Sequence, residues 1–133
     1  MIRYVDASAV VKLYVEEPDS ARATELLDAI WASGRHTLVE VRRALTQTLD
    51  RHELHTARAR FEADWSTVEV IELDVSTCER AAALAEETGA RTLDAIHLAA
   101  AERAGADEGL PIVTFDRRLA DAARSLGWTV LGA

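Results

Sequence analysis

The chain has 133 residues, 49% of them hydrophobic and 29% charged, which is the composition of an ordinary globular domain. We therefore expect one domain over residues 1–133 whose core needs no disulfide. The single cysteine, Cys78, excludes both an internal disulfide and a cysteine-based zinc site. The net charge of −8 argues against a broad basic surface for nucleic acid, although acidic clusters can engage phosphates through bound divalent cations.

The first residues of the chain predict a strand rather than an export signal. Asp6 stands where a signal peptide would continue its apolar stretch. No apolar run approaches the roughly 20 residues needed to span a bilayer. We expect a cytoplasmic protein without membrane attachment, in which Cys78 is a small buried apolar residue.

Short strands alternate with helices along the chain. Strands are predicted at residues 2–5, 68–73, 111–115 and 128–131. Helices are predicted at 7–15, from Asp19 to a stop at Gly34, from Leu38 onward, and at 54–66, 76–88, 93–104 and 117–126. This alternation favours an α/β fold in which helices cover both faces of a parallel sheet.

Three aspartates stand where a predicted strand gives way to a helix: Asp6, Asp74 and Asp116. If the strands are parallel, these carboxylates share one edge of the sheet, where ligands of open α/β folds bind. Converging carboxylates repel one another unless a cation such as Mg²⁺ or Mn²⁺ lies between them. Each aspartate is equally suited to capping the helix that follows it. The pattern alone leaves both interpretations open and predicts no reaction.

Four longer motifs carry more information than this spacing. They are VDASAVVKLY, TLVEVRRAL, TLDAIHLAAA and IVTFDRRLADAARSLG, which begin at residues 5, 37, 92 and 112. Together, in this order, they resemble the PIN domain family, and most closely the VapC toxins of bacterial VapBC toxin–antitoxin pairs. The resemblance covers essentially the whole chain and implies a PIN-like α/β fold. Its central parallel sheet would have about four to five short strands sandwiched by helices.

The resemblance also selects the acids. The family's acidic quartet falls on Asp6, Glu40, Asp94 and Asp116, which are the implied catalytic and metal-binding residues. Asp74 does not match the quartet and is expected to be a helix cap. Ser8 and Thr114 match the family's hydroxyl residues beside the acids and are expected to orient a carboxylate or a metal-bound water. Thr37 stands where the family often has serine.

The implied function is a metal-dependent endoribonuclease that acts as the toxin of a toxin–antitoxin pair. A water activated on Mg²⁺ or Mn²⁺ would hydrolyse the RNA phosphodiester. The implied partners are RNA, a VapB-like antitoxin and a second copy of the chain. For the homodimer the sequence adds Leu54, Phe61 and Trp65, which give the helix over 54–66 an apolar surface unless they pack inside.

Other readings of the chain meet difficulties in particular residues. An aspartyl phosphatase needs a second acid two positions after Asp6, where this chain has Ser8. A receiver domain needs a lysine late in the chain, and no lysine follows Lys12. The remaining alternative is a PIN-fold module that binds RNA or a protein without cutting, against which the intact quartet argues. His97 has apolar neighbours and is expected to be a buried structural residue.

Overall fold

The computed structural model describes all residues, 1–133, and contains one five-stranded sheet. The strands are β1 (Ile2–Val5), β2 (Ile30–Gly34), β3 (Glu69–Ile71), β4 (Ile112–Thr114) and β5 (Val130–Gly132). Their spatial order is β3-β2-β1-β4-β5, and every neighbouring pair is parallel. The predicted α/β fold with a parallel sheet is confirmed.

Seven α-helices connect and cover the strands. They are α1 (Ala7–Val10), α2 (Ser20–Leu26), α3 (His36–Thr48), α4 (Arg51–Trp65), α5 (Val75–Thr88), α6 (Thr92–Ala104) and α7 (Arg117–Ser125). Short 3₁₀ turns follow α1 at Val11–Leu13 and α6 at Ala106–Glu108. No helix is long and apolar enough to cross a membrane.

The sheet separates two hydrophobic clusters, because successive strand residues point to opposite faces. Tyr4 of β1 belongs to a cluster with Leu84 of α5 and Leu98 of α6. Its neighbour Val5 belongs to the other cluster, with Leu45 of α3 and Phe61 of α4. Burial on both faces is the usual condition of a parallel sheet, and it fixes the ends of the strands firmly in place.

Strand β2 corrects the sequence-based prediction of one helix from Asp19 to Gly34. The helix ends at Leu26, and Ile30–Gly34 pairs with β1 on one side and β3 on the other. Only one of its residues is β-branched, so local propensity gives little strand signal. The strand is held by distant partners: the Ser33 hydroxyl, for example, donates to the Val5 carbonyl at 2.6 Å.

Several element boundaries also differ from prediction. Helix α3 begins two residues before Leu38, and α4 begins at Arg51 because Asp50 and Glu53 form a reciprocal capping box. The predicted strand over 68–73 is shorter in the structure, and the last strand begins two residues later than predicted. The predicted helix over 7–15 is a single α-helical turn followed by a 3₁₀ turn.

One prediction about an apolar side chain is wrong, and one alternative that the sequence left open is decided. Cys78 is exposed on α5 rather than buried. On α4, Phe61 is fully buried, and Leu54 and Trp65 pack against the same cluster. These three residues therefore pack into or against the core and form no separate apolar surface on α4. The homodimer stays a prediction that rests on the family resemblance.

Candidate active site

Asp6 and Asp116 leave the sheet at the carboxyl ends of neighbouring strands. Asp6 directly follows β1, and Asp116 lies two residues beyond β4, which pairs with β1. Each caps the helix that it precedes: Asp6 accepts from the Ala9 N–H at 3.1 Å, and Asp116 accepts from the Arg118 N–H at 2.9 Å. The strand-to-helix turn therefore fixes both carboxylates locally, and the pairing of β1 with β4 brings their turns together.

Two hydroxyls join these turns. Thr114 donates to Asp6 Oδ2 at 2.7 Å, and Ser8 donates to Asp6 Oδ1 at 2.8 Å. Each hydroxyl oxygen also accepts a backbone N–H: that of Asp116 at 3.0 Å for Thr114, and that of Phe115 at 2.9 Å for Ser8. The network fixes the orientation of the Asp6 carboxylate and ties β1 to β4.

Asp6 is the most deeply buried of the four acids, with 4% of its surface exposed. Burial raises the pKa of Asp6, and the nearby imidazole of His97 together with the hydroxyl bonds from Thr114 and Ser8 opposes this rise. The hydrogen bonds to the Asp6 carboxylate therefore do not fully replace the solvation that its charged form loses on burial. A cation beside it would supply the missing stabilisation.

Asp94, in the first turn of α6, lies within the electrostatic reach of the other three acids. Burial raises the pKa of Asp94, and the negative charges of Asp116, Asp6 and Glu40 raise it further. His97 opposes this shift. The structure therefore brings all four predicted acids into one region at the carboxyl edge of the sheet. Such a group repels itself when no cation is bound.

Glu40 on α3 is oriented by a chain of hydrogen bonds. The Gly34 N–H donates to the Tyr4 hydroxyl oxygen at 3.1 Å, and this hydroxyl lies 2.8 Å from His97 Nδ1. Burial raises the pKa of Tyr4, so the phenol stays protonated and donates a hydrogen bond to His97 Nδ1. The other ring nitrogen of His97, Nε2, then donates to Glu40 Oε1 at 2.8 Å. This assignment gives every donor in the chain an acceptor.

Burial alone would raise the pKa of Glu40, but the hydrogen bond that His97 donates and the nearby imidazoles of His97 and His36 outweigh it and lower this pKa. Glu40 is therefore charged at neutral pH and is aimed by a buried imidazole. The sequence correctly predicted the burial of His97, but its bond to Glu40 was not anticipated.

His36, the first residue of α3, was missed in the sequence. Its Nε2 lies 3.7 Å from Glu40 Oε1, and its ring centroid lies 4.0 Å from that of His97. Burial and the neighbouring His97 lower the pKa of His36 to about 4, so the ring is neutral at pH 7. The available signal was the spacing of four residues between His36 and Glu40, which places both on one face of a helix.

Asp74 lies apart from the quartet. It follows β3, an edge strand separated from β1 by β2, and it caps α5 by accepting from the Thr77 N–H at 2.8 Å. Its side chain is 51% exposed, and Arg103 donates to both of its carboxylate oxygens. The Thr77 N–H and then Arg103 lower the pKa of Asp74 to about 2. Asp74 is a helix cap, as the comparison of motifs had indicated.

Cations flank the acidic region on two sides. One depression contains Ser8 and Glu40 together with Arg43 and with Lys12, whose ammonium group pairs with Glu17 at 2.5 Å. Another contains Asp94 together with Arg91 and Arg118. An acidic centre with basic side chains on both sides suits a ligand that carries several phosphates along an extended backbone.

Comparison with known proteins agrees with this geometry. The PIN domain family matches residues 3–125 of the chain. The ribonuclease VapC45 of Mycobacterium tuberculosis is 37% identical, over 98% of this chain and 94% of its own.

Among solved structures, M. tuberculosis VapC20, described as a sarcin–ricin loop cleaving toxin, superposes with a TM-score of 0.74 over all of both chains at 18% identity. A toxin–antitoxin complex from Klebsiella pneumoniae contains a chain that superposes with a TM-score of 0.68, covering 89% of this chain and 90% of that one at 22% identity. The chain therefore belongs to the PIN domain family and is similar to VapC ribonucleases over nearly its whole length.

Proposed function

We propose that this chain, as a single PIN domain over residues 1–133, is a metal-dependent endoribonuclease and the toxin of a toxin–antitoxin pair. The observation that carries the proposal is the environment of Asp94, whose pKa is raised by burial and then by the nearby charges of Asp116, Asp6 and Glu40. Four acids from distant motifs thus meet at the edge where α/β sheets bind ligands. The names of similar proteins, which are ribonucleases, support a nuclease activity for this chain.

The donor set fits Mg²⁺ or Mn²⁺. All four acids offer carboxylate oxygen, the ligand that these hard cations prefer, and their mutual repulsion is relieved by positive charge. Asp6 and Asp94 would hold the ion, and Asp116 and Glu40 would complete the site directly or through water. When bound, such an ion lowers the pKa of water and stabilises negative charge that develops on the phosphate.

The chain's own residues have separable tasks in this proposal. Ser8 and Thr114 hold the Asp6 carboxylate by hydrogen bonds, and His97 holds that of Glu40. The exposed flanking cations, Arg43, Arg91 and Arg118, would bind RNA phosphates on either side of the acids. No side chain is needed as a covalent nucleophile. The resemblance to PIN nucleases implies products that carry a 5′-phosphate and a 3′-hydroxyl.

The proposed partners follow from the same site. An antitoxin that inserts an arginine among the carboxylates would form bidentate, charge-assisted contacts and displace the cation. A VapB-like protein is the proposed inhibitor, the cytoplasm the proposed location, and a homodimer the proposed state. The toxin–antitoxin complexes among the structural neighbours support the antitoxin.

Cleavage of RNA by the purified protein tests the enzymatic proposal. A structured RNA should be cut with Mg²⁺ or Mn²⁺, cutting should stop in excess EDTA, and it should return when metal is added back. The Asp94→Asn protein should be inactive, and the matched control Asp74→Asn should cut like the parent. Undiminished cutting in EDTA would refute metal dependence. RNA binding without any cutting would instead support the non-cleaving alternative.

Growth of a bacterial host tests the toxin proposal. Expression of the chain alone should arrest growth, and expression of Asp94→Ala should not. Growth arrest that is equally strong with Asp94→Ala would show that nuclease activity is not the cause.

A further inference from the structure

A second group of side chains that could bind a metal ion shares Glu40 with the four acids. His36 and Glu40 come from one face of α3, and His97 comes from α6. One ligand atom from each residue lies within 4.8 Å of the others. The Glu40 oxygen is 2.8 Å from His97 Nε2 and 3.7 Å from His36 Nε2. Unlike the quartet, this group offers two nitrogen atoms and one oxygen.

His36 has no hydrogen-bonding partner inside the protein. Its side chain is 9% exposed, and neither ring nitrogen makes a hydrogen bond although both are buried. An unpartnered polar group in such a place is costly, by about 1–3 kcal/mol. The ring is nevertheless accommodated, because Gly34 has no side chain: a Cβ there would lie 2.6 Å from His36 Nδ1. The fold therefore keeps a neutral imidazole in place with its Nε2 free and directed at Glu40.

The donor set selects the ion. Imidazole nitrogen and carboxylate oxygen are typical ligands of Zn²⁺, whereas Mg²⁺ prefers oxygen alone. Tetrahedral bonds of about 2.0–2.2 Å separate ligand atoms by roughly 3.3–3.6 Å. The two separations from Glu40 lie on either side of this range, and the two histidine nitrogens lie within 4.8 Å of each other, so side-chain shifts of at most about 1 Å suffice. We propose that His36, Glu40 and His97 form a binding site for Zn²⁺, with one coordination position left for water.

The surroundings of His97 suit this role. A metal-binding histidine usually passes its other ring N–H to a neighbouring acceptor, which fixes the ring. Here the Tyr4 hydroxyl oxygen lies 2.8 Å from His97 Nδ1 and is itself fixed by the Gly34 N–H. When Nε2 binds Zn²⁺, the ring proton would move to Nδ1, and the Tyr4 hydroxyl, which donates to Nδ1 in the metal-free chain, would turn so that its oxygen accepts the Nδ1–H hydrogen bond. Both histidines are then neutral ligands.

Glu40 is shared between this site and the acidic quartet, and this gives Zn²⁺ a consequence. A Zn²⁺ ion held by His36 and His97 would draw Glu40 away from the ion that Asp94 would hold, and Zn²⁺ should therefore inhibit the nuclease. This consequence rests on the proposed function, whereas the binding itself does not. The site thereby makes the activity sensitive to the ratio of Zn²⁺ to Mg²⁺.

Binding of Zn²⁺ to the metal-free full chain tests the proposal by calorimetry, without any RNA. Removal of one of the three ligands in His36→Leu should weaken Zn²⁺ binding by about 100-fold, since even loss of an outer hydrogen-bond partner costs about 10–100-fold. The control Asp116→Asn, which alters only the quartet, should keep the parent's Zn²⁺ affinity. Equal affinity in the parent and His36→Leu, or absence of Zn²⁺ binding by the parent, would overturn the site. A loss of Zn²⁺ affinity in Asp116→Asn but not in His36→Leu would also overturn the site.

Two further measurements protect the result against a folding defect. The melting temperature of metal-free His36→Leu should match or exceed that of the parent, because the variant removes an unpartnered polar ring. In the parent itself, Zn²⁺ should shift the imidazole ¹⁵N resonances of His36 and His97, whatever the variant does. Unchanged resonances of both histidines at saturating Zn²⁺ would refute the site.

RNA cleavage then tests the inhibitory consequence separately. At fixed Mg²⁺, Zn²⁺ should reduce the rate of the parent at a concentration near its measured dissociation constant. His36→Leu, compared with its own rate in the absence of Zn²⁺, should require about 100-fold more. Equal sensitivity of the two proteins would refute the inhibitory role. If no RNA is cut under any condition, the nuclease proposal fails and the binding data still decide the zinc site.

Discussion

Asp6 and Asp74 have the same local role in the sequence, but Asp6 follows a central strand of the sheet and Asp74 follows an edge strand. Each follows a strand, each begins a helix, and each accepts a backbone N–H from the residue three positions later. Yet Asp6 is 4% exposed with a raised pKa, whereas the Asp74 side chain is 51% exposed with a pKa of about 2. The local motif makes both residues caps, and it does not make either one a metal ligand.

The difference between them comes from their neighbours. Asp6 follows a central strand, and its carboxylate meets the hydroxyls of Ser8 and Thr114 in a region that contains three more acids. Asp74 follows an edge strand and meets the guanidinium of Arg103. An ion pair neutralises Asp74 within the protein, whereas the quartet has an excess of negative charge. An acid at the end of a strand becomes a candidate ligand when the fold leaves its charge unbalanced.

The largest contrast is expected in catalysis. Asp6→Asn should lower the rate of metal-dependent RNA cleavage by about 100-fold or more, because a lost ligand removes several kcal/mol of stabilisation from the transition state. Asp74→Asn keeps an equally good cap and should cut at the parent's rate. Rates under single-turnover conditions measure both. A large loss of cleavage rate in Asp74→Asn would show that Asp74 contributes to catalysis as Asp6 does.

Stabilisation by bound metal should distinguish a proposed ligand, Asp94, from the helix cap Asp74. Mn²⁺ at about 100 times its dissociation constant should stabilise the parent by roughly 2.7 kcal/mol, on the order of 10 °C in melting temperature. Asp94→Asn should lose much of this gain, and Asp74→Asn should keep it. Thermal melts with EDTA and with Mn²⁺ provide the comparison. Equal shifts in the parent and Asp94→Asn would show that Asp94 is not a ligand.

The hydroxyl bonds to Asp6 should matter next. Thr114→Val removes a hydroxyl that donates to Asp6 and accepts from the Asp116 N–H, and we expect a stability loss of about 1–3 kcal/mol. Because this bond lowers the pKa of Asp6, its loss should also move the acidic limb of the pH–rate profile to higher pH. The exposed threonine in Thr129→Val is the control. An unmoved acidic limb would show that Thr114 acts only on stability.

The smallest effect is the pH dependence of stability without metal, and its sign differs between the two acids. The folded pKa of Asp94 is raised above its ordinary 3.8, so its contribution to stability falls as pH rises through the raised value. The folded pKa of Asp74, about 2, lies below its ordinary 3.8, so its contribution is complete above 3.8 and is lost as pH falls toward 2.

Urea unfolding in EDTA across this range measures both slopes. Asp94→Asn should flatten the decline above pH 3.8, and Asp74→Asn should flatten the decline below it. Because Asp74 is exposed and screened by solvent, its effect should be the smaller one. Identical curves for Asp94→Asn and the parent would show that repulsion among the acids is weak.

Much of the fold and of the candidate site could be predicted from the sequence, although by two different routes. Turn and cap chemistry correctly marked Asp6, Asp74 and Asp116 as residues at strand-to-helix turns. The longer motifs were needed to add Glu40 and Asp94, which look locally like a solvated residue and a cap.

Strand β2 was missed because its residues have little intrinsic strand propensity and owe their conformation to pairing with β1 and β3. His36 was missed because its significance depends on His97, 61 positions away along the printed sequence.

Local sequence specifies which chemical groups are present, where most helices begin, and that strands alternate with helices, because these depend on interactions within a few residues. Which acids share a solvent-poor region depends on the packed sheet, since it requires β1 and β4 to be neighbours and β3 to lie at the edge. The tertiary structure also decided that a buried imidazole faces Glu40 without a partner of its own. Charge balance and burial are sums over distant residues, and for that reason the ion that a site prefers is a property of the folded chain.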